Sequence, residues 1–440
     1  MNYSHDSIII GGGPGGYELA SLLAAQGKKT ALIEADLLGG TCLNRGCIPT
    51  KTLCHAADMA RIHLRANAYG LDYPAPRLDW EALMARKNQV TDALREGIAM
   101  QLSAVEVIHA KASLASDNRV ILDNSQQLSA PQIVIATGSL PASLPVEGAA
   151  EALNSDQLLD LPAIPASMAI IGGGVIGIES ASIFSALGCE VTVIEYCKEI
   201  LPQVDKDIAK RLRRELESQG IRFHLGAQVT SLPTPSSVEF IAKGKTVVVE
   251  AQLVAMAVGR RPNLPEGLRE AGVEATPRGI KVDPDTLMTT APGVYAIGDV
   301  NAIAMLAHAA TAQARRVAGL PVNLDVIPAA VFTSPEVATV GLTEDRAKEL
   351  YPGDYKAIKL PLRSNGKAVS MGEDSGMIKL IARLSTHTIL GCHILAPHAA
   401  DIIQSVALAM ANNLSLNDIE STIHIHPSLS EIIPAAISRL

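Results

Sequence analysis

Residues 39–51 read GGTCLNRGCIPTK. Cys42 and Cys47 stand five apart, and Lys51 follows four residues after the second cysteine. Two thiols this close can be a redox dithiol, a pair of buried structural cysteines, or half of a metal site. Metal sites favour spacings of about two to four residues and need further ligands, and no His or Cys cluster lies nearby to complete one. On an ideal α-helix five residues turn a side chain by about 140° and climb about 7.5 Å. That puts the two sulfurs on different faces, at or beyond the reach of a disulfide. The pair can close only where the helix is irregular. Gly39, Gly40 and Gly46 loosen the backbone, and Pro49, lacking an N–H, suits the first turn of a helix. The expectation is Cys42 in an entry turn and Cys47 opening a helix that runs on through Lys51. A thiol at a helix N-terminus beside a lysine should ionise readily, its pKa falling from about 8.5 into the range of about 3.5 to 7.5.

A second chemistry-bearing stretch is His424-Ile425-His426-Pro427-Ser428-Leu429-Ser430-Glu431. A thiol must lose a proton to attack and regain one to leave, and histidine titrates in the right range to move it. Glu431, five residues beyond His426, can hold the imidazole in one tautomer. His424 reads as a packed or surface residue. Cys54, Cys189, Cys197 and Cys392 have no evident partners and read as ordinary core or surface cysteines.

The elements that must carry these groups begin with a short apolar run, Ser7 to Ile10, feeding Gly11-Gly12-Gly13-Pro14-Gly15-Gly16. A helical pattern follows to about Ala25, then Gly27, then a second apolar run ending at Glu34. In such a G-x-G-x-x-G turn Gly11 allows the tight turn, Gly13 admits a pyrophosphate to the backbone, and Gly16 lets the helix pack on the strand. The helix N-terminus offers free N–H groups to phosphate, and Glu34 can accept from a ribose diol. The whole unit recurs at a constant offset of 161 residues: Gly172, Gly174, Gly177, Gly188 and Glu195 match Gly11, Gly13, Gly16, Gly27 and Glu34. Two dinucleotide folds imply two dinucleotides. Glu195 pairs with a free 2′-hydroxyl and repels a 2′-phosphate, and the residues after it, Tyr196 to Glu199, hold no arginine cluster. The second nucleotide should therefore be NAD rather than NADP.

Between the two folds, residues 53–104 read as a helical stretch, followed by short strands at 105–109, 119–122 and 132–135, the last ending at Ala136-Thr137-Gly138. Leu161-Pro162-Ala163-Ile164-Pro165 is the expected linker. After the second fold a strand at 253–258 ends in Gly259-Arg260-Arg261-Pro262-Asn263. Another strand ends in Gly298-Asp299, and an Ala-rich helix from about 306 to 318 has Ala307 and His308 at its N-terminus. From about Val326 the pattern becomes strands and then a helix over 399–412 with no Gly-rich turn, an α+β domain of its own.

Composition narrows the class. The chain has 440 residues, is 48% hydrophobic and carries a net charge of −8 with no basic block, which argues against a nucleic-acid partner. No apolar stretch approaches the length of a membrane span. The start, MNYSHDSIII, lacks a basic n-region, and six cysteines in so long a chain do not make a secreted disulfide framework. A cytoplasmic enzyme is expected.

The dithiol stretch, the two Gly-rich turns, Ala136-Thr137-Gly138, Gly298-Asp299 and the terminal HxHPSLSE together resemble the pyridine nucleotide–disulfide oxidoreductases over nearly the whole chain. The resemblance implies an α/β fold of two Rossmann-like dinucleotide-binding domains plus a C-terminal α+β dimerisation domain. Its boundaries would be 1–145 (FAD and disulfide), 146–265 (NAD), 266–327 (return to the central domain) and 328–440 (interface). It implies a Cys42–Cys47 disulfide, with Cys47 against the flavin as a charge-transfer thiolate and Cys42 exchanging with the substrate's dithiol. Lys51 would lie near the flavin and pair with Glu179. Gly11, Gly13, Gly16, Glu34, Thr41, Thr137, Gly138, Asp299 and Ala307 would hold FAD, with Asp299 on the ribityl chain. Gly172, Gly174, Gly177, Glu195 and Gly259 would hold NAD, and no metal is implied. His426, oriented by Glu431, would serve the active site of the partner subunit in a homodimer. The substrate would be the dithiol of a lipoyl-bearing protein, from a 2-oxo-acid dehydrogenase complex or the glycine cleavage system. A glutathione-type reductase should prefer NADP, a mercuric reductase should carry a terminal cysteine pair, and a transhydrogenase should lack the second cysteine. None of those patterns is present, and the remaining alternative, a flavoprotein subunit that binds FAD without turning over, is opposed by the retained dithiol, Lys51 and the His426–Glu431 pair.

Overall fold

The computed structural model describes residues 3–440. The chain divides into two compact units: residues 1–52, 82–142 and 259–324 form the first, and residues 53–81, 143–258 and 325–440 the second.

The first unit is built on a five-stranded parallel sheet. Strand β1 (Ser7–Ile10) sits at its centre, flanked by β2 (Thr30–Glu34) and by Gln132–Ile135, with Glu106–His109 and Val294–Ala296 outermost. All four β1 residues are buried, as befits a parallel strand covered on both faces. Helix α1 (Pro14–Ala25) returns the chain from β1 to β2, with Pro14 in its first turn where a missing N–H costs nothing. A small antiparallel sheet of Ala112–Ala115, Arg119–Leu122 and Gln127–Ser129 completes this part.

The second unit repeats the plan. Ser167–Ile171 is central in a five-stranded parallel sheet between Glu190–Glu195 and Leu253–Met256, and the helix Val175–Ala186 makes the crossover. A three-stranded antiparallel sheet spans residues 227–250. Residues 329–396 form a five-stranded antiparallel sheet. Its core includes Leu380, Ile394, Ile403 and Val406, the last two from the helix Ala399–Ala411.

Two expectations change. The stretch 53–104 is not one helical run. Helix α3 (Cys47–Ala66) ends in a 3-10 turn closed by left-handed Gly70, and α4 (Trp80–Gln101) begins only after an irregular segment carrying Pro74 and Pro76. Nor is Leu161–Pro165 a free linker. Leu161 is buried, and its carbonyl accepts the Trp80 indole N–H at 2.8 Å, both within the second unit.

Candidate active site

The dithiol sits where the helix breaks. Helix α2 (Gly40–Arg45) carries Cys42 and stops at Gly46, whose φ of −148° and ψ of −112° fall outside helical values. Helix α3 then starts at Cys47 and continues through Lys51. The break annuls the geometry of an unbroken helix and brings the two thiols into hydrogen-bond contact. The turn is clamped from inside the unit. Asn44 Nδ2 donates to the carbonyls of Leu38 and Gly40 at 3.0 and 2.9 Å, while Asn44 Oδ1 accepts from Arg95 Nη2 of α4 at 2.8 Å.

The electrostatics separate the two thiols. Cys42, in the entry turn, does not ionise readily; its pKa is pushed well up. The main cause is its hydrogen bond to Cys47, followed by burial and the Cys47 charge, with Lys51 pulling the other way. Cys42 thus holds a proton and donates it toward Cys47, which opens α3 at the positive end of the helix dipole. The negative charge of the reduced pair belongs on Cys47.

The first Gly-rich turn also lies in the first unit. Gly11 has φ +109°, and a Cβ on Gly16 would fall 1.8 Å from the Gly11 carbonyl oxygen, so helix and strand touch through bare backbone. A Cβ on Gly13 would meet nothing nearer than the Gly40 Cα at 3.9 Å, which leaves the open cradle a pyrophosphate needs. Glu34 is locked by backbone: Oε2 accepts from Gly12 N, and Oε1 accepts from Asp36 N at 2.8 Å. Thr137 and Gly138 are knit to Asn263. The Thr137 hydroxyl donates to the Asn263 carbonyl at 2.6 Å, and Asn263 N donates to Gly138 O at 2.9 Å. Asp299 lies in a 3-10 turn, Gly298–Asn301, held by the buried Gln313, whose Oε1 accepts from Gly298 N at 2.7 Å and Asn301 Nδ2 at 3.0 Å. Ala307 is the first residue of the helix Ala307–Val317.

The second Gly-rich turn reproduces the first within the second unit. Gly172 again has φ +109°, and a Cβ on Gly174 would meet nothing within 4 Å. Glu195 Oε2 accepts from Gly173 N, and Oε1 accepts from Cys197 N at 2.6 Å. The nearest arginine in the pattern, Arg213, is committed to carboxylates, donating to both Glu199 oxygens and to Glu217. Both cradles therefore fit dinucleotides with unphosphorylated ribose. Gly259, φ +101°, belongs to the first unit, where its carbonyl accepts from Ala142 N at 2.9 Å. Glu179 is buried in the second unit and accepts from Phe332 N at 2.9 Å.

His426 and Glu431 come together in the second unit, with Nδ1 and Oε1 2.9 Å apart. The Glu431 carboxyl is held below its usual range, first by the Ser428 N–H and then by His426. The bond fixes the imidazole through Nδ1 and leaves Nε2 outward, on a side chain 80% exposed. His424 instead bonds the Ile419 carbonyl at 3.1 Å. Among the other cysteines, burial pushes Cys189 up to about 11 and Cys392 higher still, while Cys54 Sγ donates to Phe332 O.

Sequence reasoning missed the supporting residues Asn44, Arg95, Gln313, Asn301, Ser139 and Arg260. Three of them stand inside or beside noticed motifs: Asn44 in the dithiol stretch, Ser139 after Ala136-Thr137-Gly138, Arg260 after Gly259. Only their pairing across the fold reveals them.

Two Gly-rich cradles and a dithiol set into a broken helix define a nucleotide-dependent disulfide oxidoreductase. The comparisons agree. Residues 5–314 match the family model for pyridine nucleotide-disulphide oxidoreductase, and residues 327–437 match that family's dimerisation domain. The chain belongs to this family, and its cofactors are FAD and NAD. It is 39% identical to a dihydrolipoyl dehydrogenase of Chlamydia muridarum over 98% of this chain and 96% of the relative. It is 34% identical to one of Bacillus subtilis over 98% and 97%. A leghemoglobin reductase of Glycine max is 37% identical over 98% of this chain and 87% of its own length. Among solved structures, the HOCl-induced flavoprotein disulfide reductase RclA from Escherichia coli superposes with a TM-score of 0.86 at 29% identity, covering 98% of this chain and 99% of that one.

Proposed function

We propose that the protein is a dihydrolipoamide dehydrogenase: it oxidises the dihydrolipoyl group of a partner protein to lipoyl and reduces NAD+ to NADH. The observation that carries this reading is that one chain holds both a hydrogen-bonded Cys42–Cys47 dithiol and an exposed His426–Glu431 couple. In the oxidised protein Cys42 and Cys47 form the disulfide. A substrate thiolate, made when His426 takes its proton, attacks Cys42 Sγ; the Cys42–Cys47 bond breaks and a mixed disulfide forms. The second substrate thiol displaces Cys42, its proton passing to the leaving Cys42 sulfur, so that His426 keeps the first proton and Cys47 the negative charge. Lipoyl leaves, and the electron pair stays on the dithiol. Bound FAD supplies the chemistry that takes this pair and delivers it as hydride to NAD+. Asp299 and Glu34 would hold the ribityl chain and adenosine ribose of FAD, Glu195 the ribose of NAD, and Lys51 biases the dithiol toward its ionised form.

We assign His426 to the dithiol of a second copy in a homodimer, a reading supported by its exposed side chain and by its place within the family's dimerisation domain, residues 327–437. The lipoyl group would arrive on a 2-oxo-acid dehydrogenase complex or the glycine cleavage system. Rapid NAD+ reduction by dihydrolipoamide tests the reading. A second reading, an NADH-driven reductase of another disulfide, draws on the likeness to RclA; it predicts turnover of NADH with other disulfides and little with lipoamide.

A further inference from the structure

One residue outside the assigned machinery bonds to Thr41, which is part of it, and to the serine that holds Asp299, another part. Arg260 opens the strand Arg260–Pro262, which pairs antiparallel with Ser139–Pro141. Its Nε donates to Ser139 Oγ at 2.8 Å, and its Nη2 donates to the Ser139 carbonyl at 2.8 Å. The same Nη2 reaches Thr41 Oγ1, in the residue before Cys42, at 3.4 Å. A hydroxyl has one proton. Because Ser139 Oγ accepts from Arg260, that proton is directed to Asp299, and the bond to Asp299 Oδ2 is 2.5 Å long. Ser139 is 5% exposed, so water does not compete for it. Asp299 Oδ2 is thus the oxygen tied back to the protein.

The turn beneath Asp299 is fixed separately by Gln313 and Asn301. The backbone therefore has one set of restraints and the carboxylate another. We propose that Arg260 is a positioning residue for FAD: through Ser139 it sets the Asp299 carboxylate, with Oδ2 tied back and Oδ1 presented to the ribityl hydroxyls. Its contact with Thr41 anchors the same guanidinium to the dithiol turn. The proposal rests on the reading of Asp299 as the ribityl ligand. Lysine cannot reproduce it fully, because a single ammonium lacks the planar fork that meets Ser139 Oγ and O together.

The test is FAD affinity, read by titrating apoprotein with FAD and following flavin fluorescence, with the apoprotein melting temperature recorded for each variant. Asp299→Ala should lose FAD most. Ser139→Ala and Arg260→Met should each raise the FAD Kd by roughly tenfold, the scale of one lost charge-assisted bond. The double variant should be no weaker than about the worse single, because the bonds form one relay. Arg260→Lys should recover part of the affinity. Should Asp299→Ala weaken FAD while Ser139→Ala and Arg260→Met bind as the parent does, the relay is overturned and the ribityl assignment stands. Additive losses in the double variant also overturn the relay. An Asp299→Ala protein with parental FAD affinity overturns the ribityl assignment and the relay with it. Ser139→Ala removes a single oxygen and keeps the test decisive if Arg260→Met fails to fold.

Discussion

At the residue scale the site is a matter of which group holds the proton. Cys42 is kept protonated by its contact with Cys47, and the Lys51 charge opposes that effect. Replacing Lys51 by Met should therefore shift thiolate formation in the reduced protein to higher pH, followed by absorbance near 240 nm; an unmoved titration contradicts the role of the lysine. His426 should matter through catalysis rather than stability, since its side chain is 80% exposed. His426→Ala should lower turnover by about 10²- to 10⁴-fold and leave the melting temperature unchanged. Glu431→Gln should cost less, because it loosens the imidazole without removing it. The sequence made the helix break legible through Gly46 and Pro49. It did not reveal that Cys42 would be the thiol with the raised pKa, because the partner hydrogen bond depends on the turn's three-dimensional closure.

At the element scale the duplication was fully readable. Gly11 and Gly172 share one φ, and Glu34 and Glu195 hold the same pair of backbone N–H groups. Strand and helix positions near them follow from apolar runs and glycine punctuation. The gap at 70–79 was readable from Gly70, Pro74 and Pro76, although the expectation ran one helical stretch across it. The ion cluster that joins the helix Lys206–Ser218 to the strand Met377–Arg383 was not readable. Buried Lys379 bonds Asp205, Asp207 and Glu344 at 2.5 to 2.8 Å. Burial alone would raise the Asp205 pKa, but Lys379 and the Glu344 and Asp207 N–H groups outweigh it and hold it low. Its stabilisation is therefore present above about pH 3.9 and is lost as pH falls through the depressed folded value. His393, 1% exposed beside this cluster, has its pKa lowered by burial; Nε2 donates to Leu342 O at 2.9 Å and Nδ1 has no partner among the described residues. The unfolded chain takes up a proton near pH 6.5 that the folded chain refuses, so stability should fall as pH drops through that value. His393→Gln should flatten the decline in melting temperature between about pH 7.5 and 5.5. An unchanged slope contradicts this assignment.

At the scale of the whole molecule, no helix among the described residues is long and apolar enough to cross a membrane. The family's dimerisation domain accounts for residues 327–437. If His426 serves a second copy, two inactive chains should complement each other. Random exchange of subunits between His426→Ala and Cys47→Ser proteins should restore about a quarter of the sites. No recovery would place His426 in its own chain's site or outside catalysis. Sequence alone made the two-nucleotide plan and the separate α+β end visible, because each has a local signature. It could not show that residues 53–81 group with segments distant in sequence.

The most direct measurement is the initial rate of NAD+ reduction by dihydrolipoamide with the FAD-loaded protein, with NADP+ run in parallel. Fast NADH formation and little NADPH is the predicted result, since the proposal assigns Glu195 to the free ribose hydroxyls of NAD and Arg213 is held by Glu199 and Glu217. Negligible turnover with FAD fully bound and the dimer intact would contradict the proposed activity.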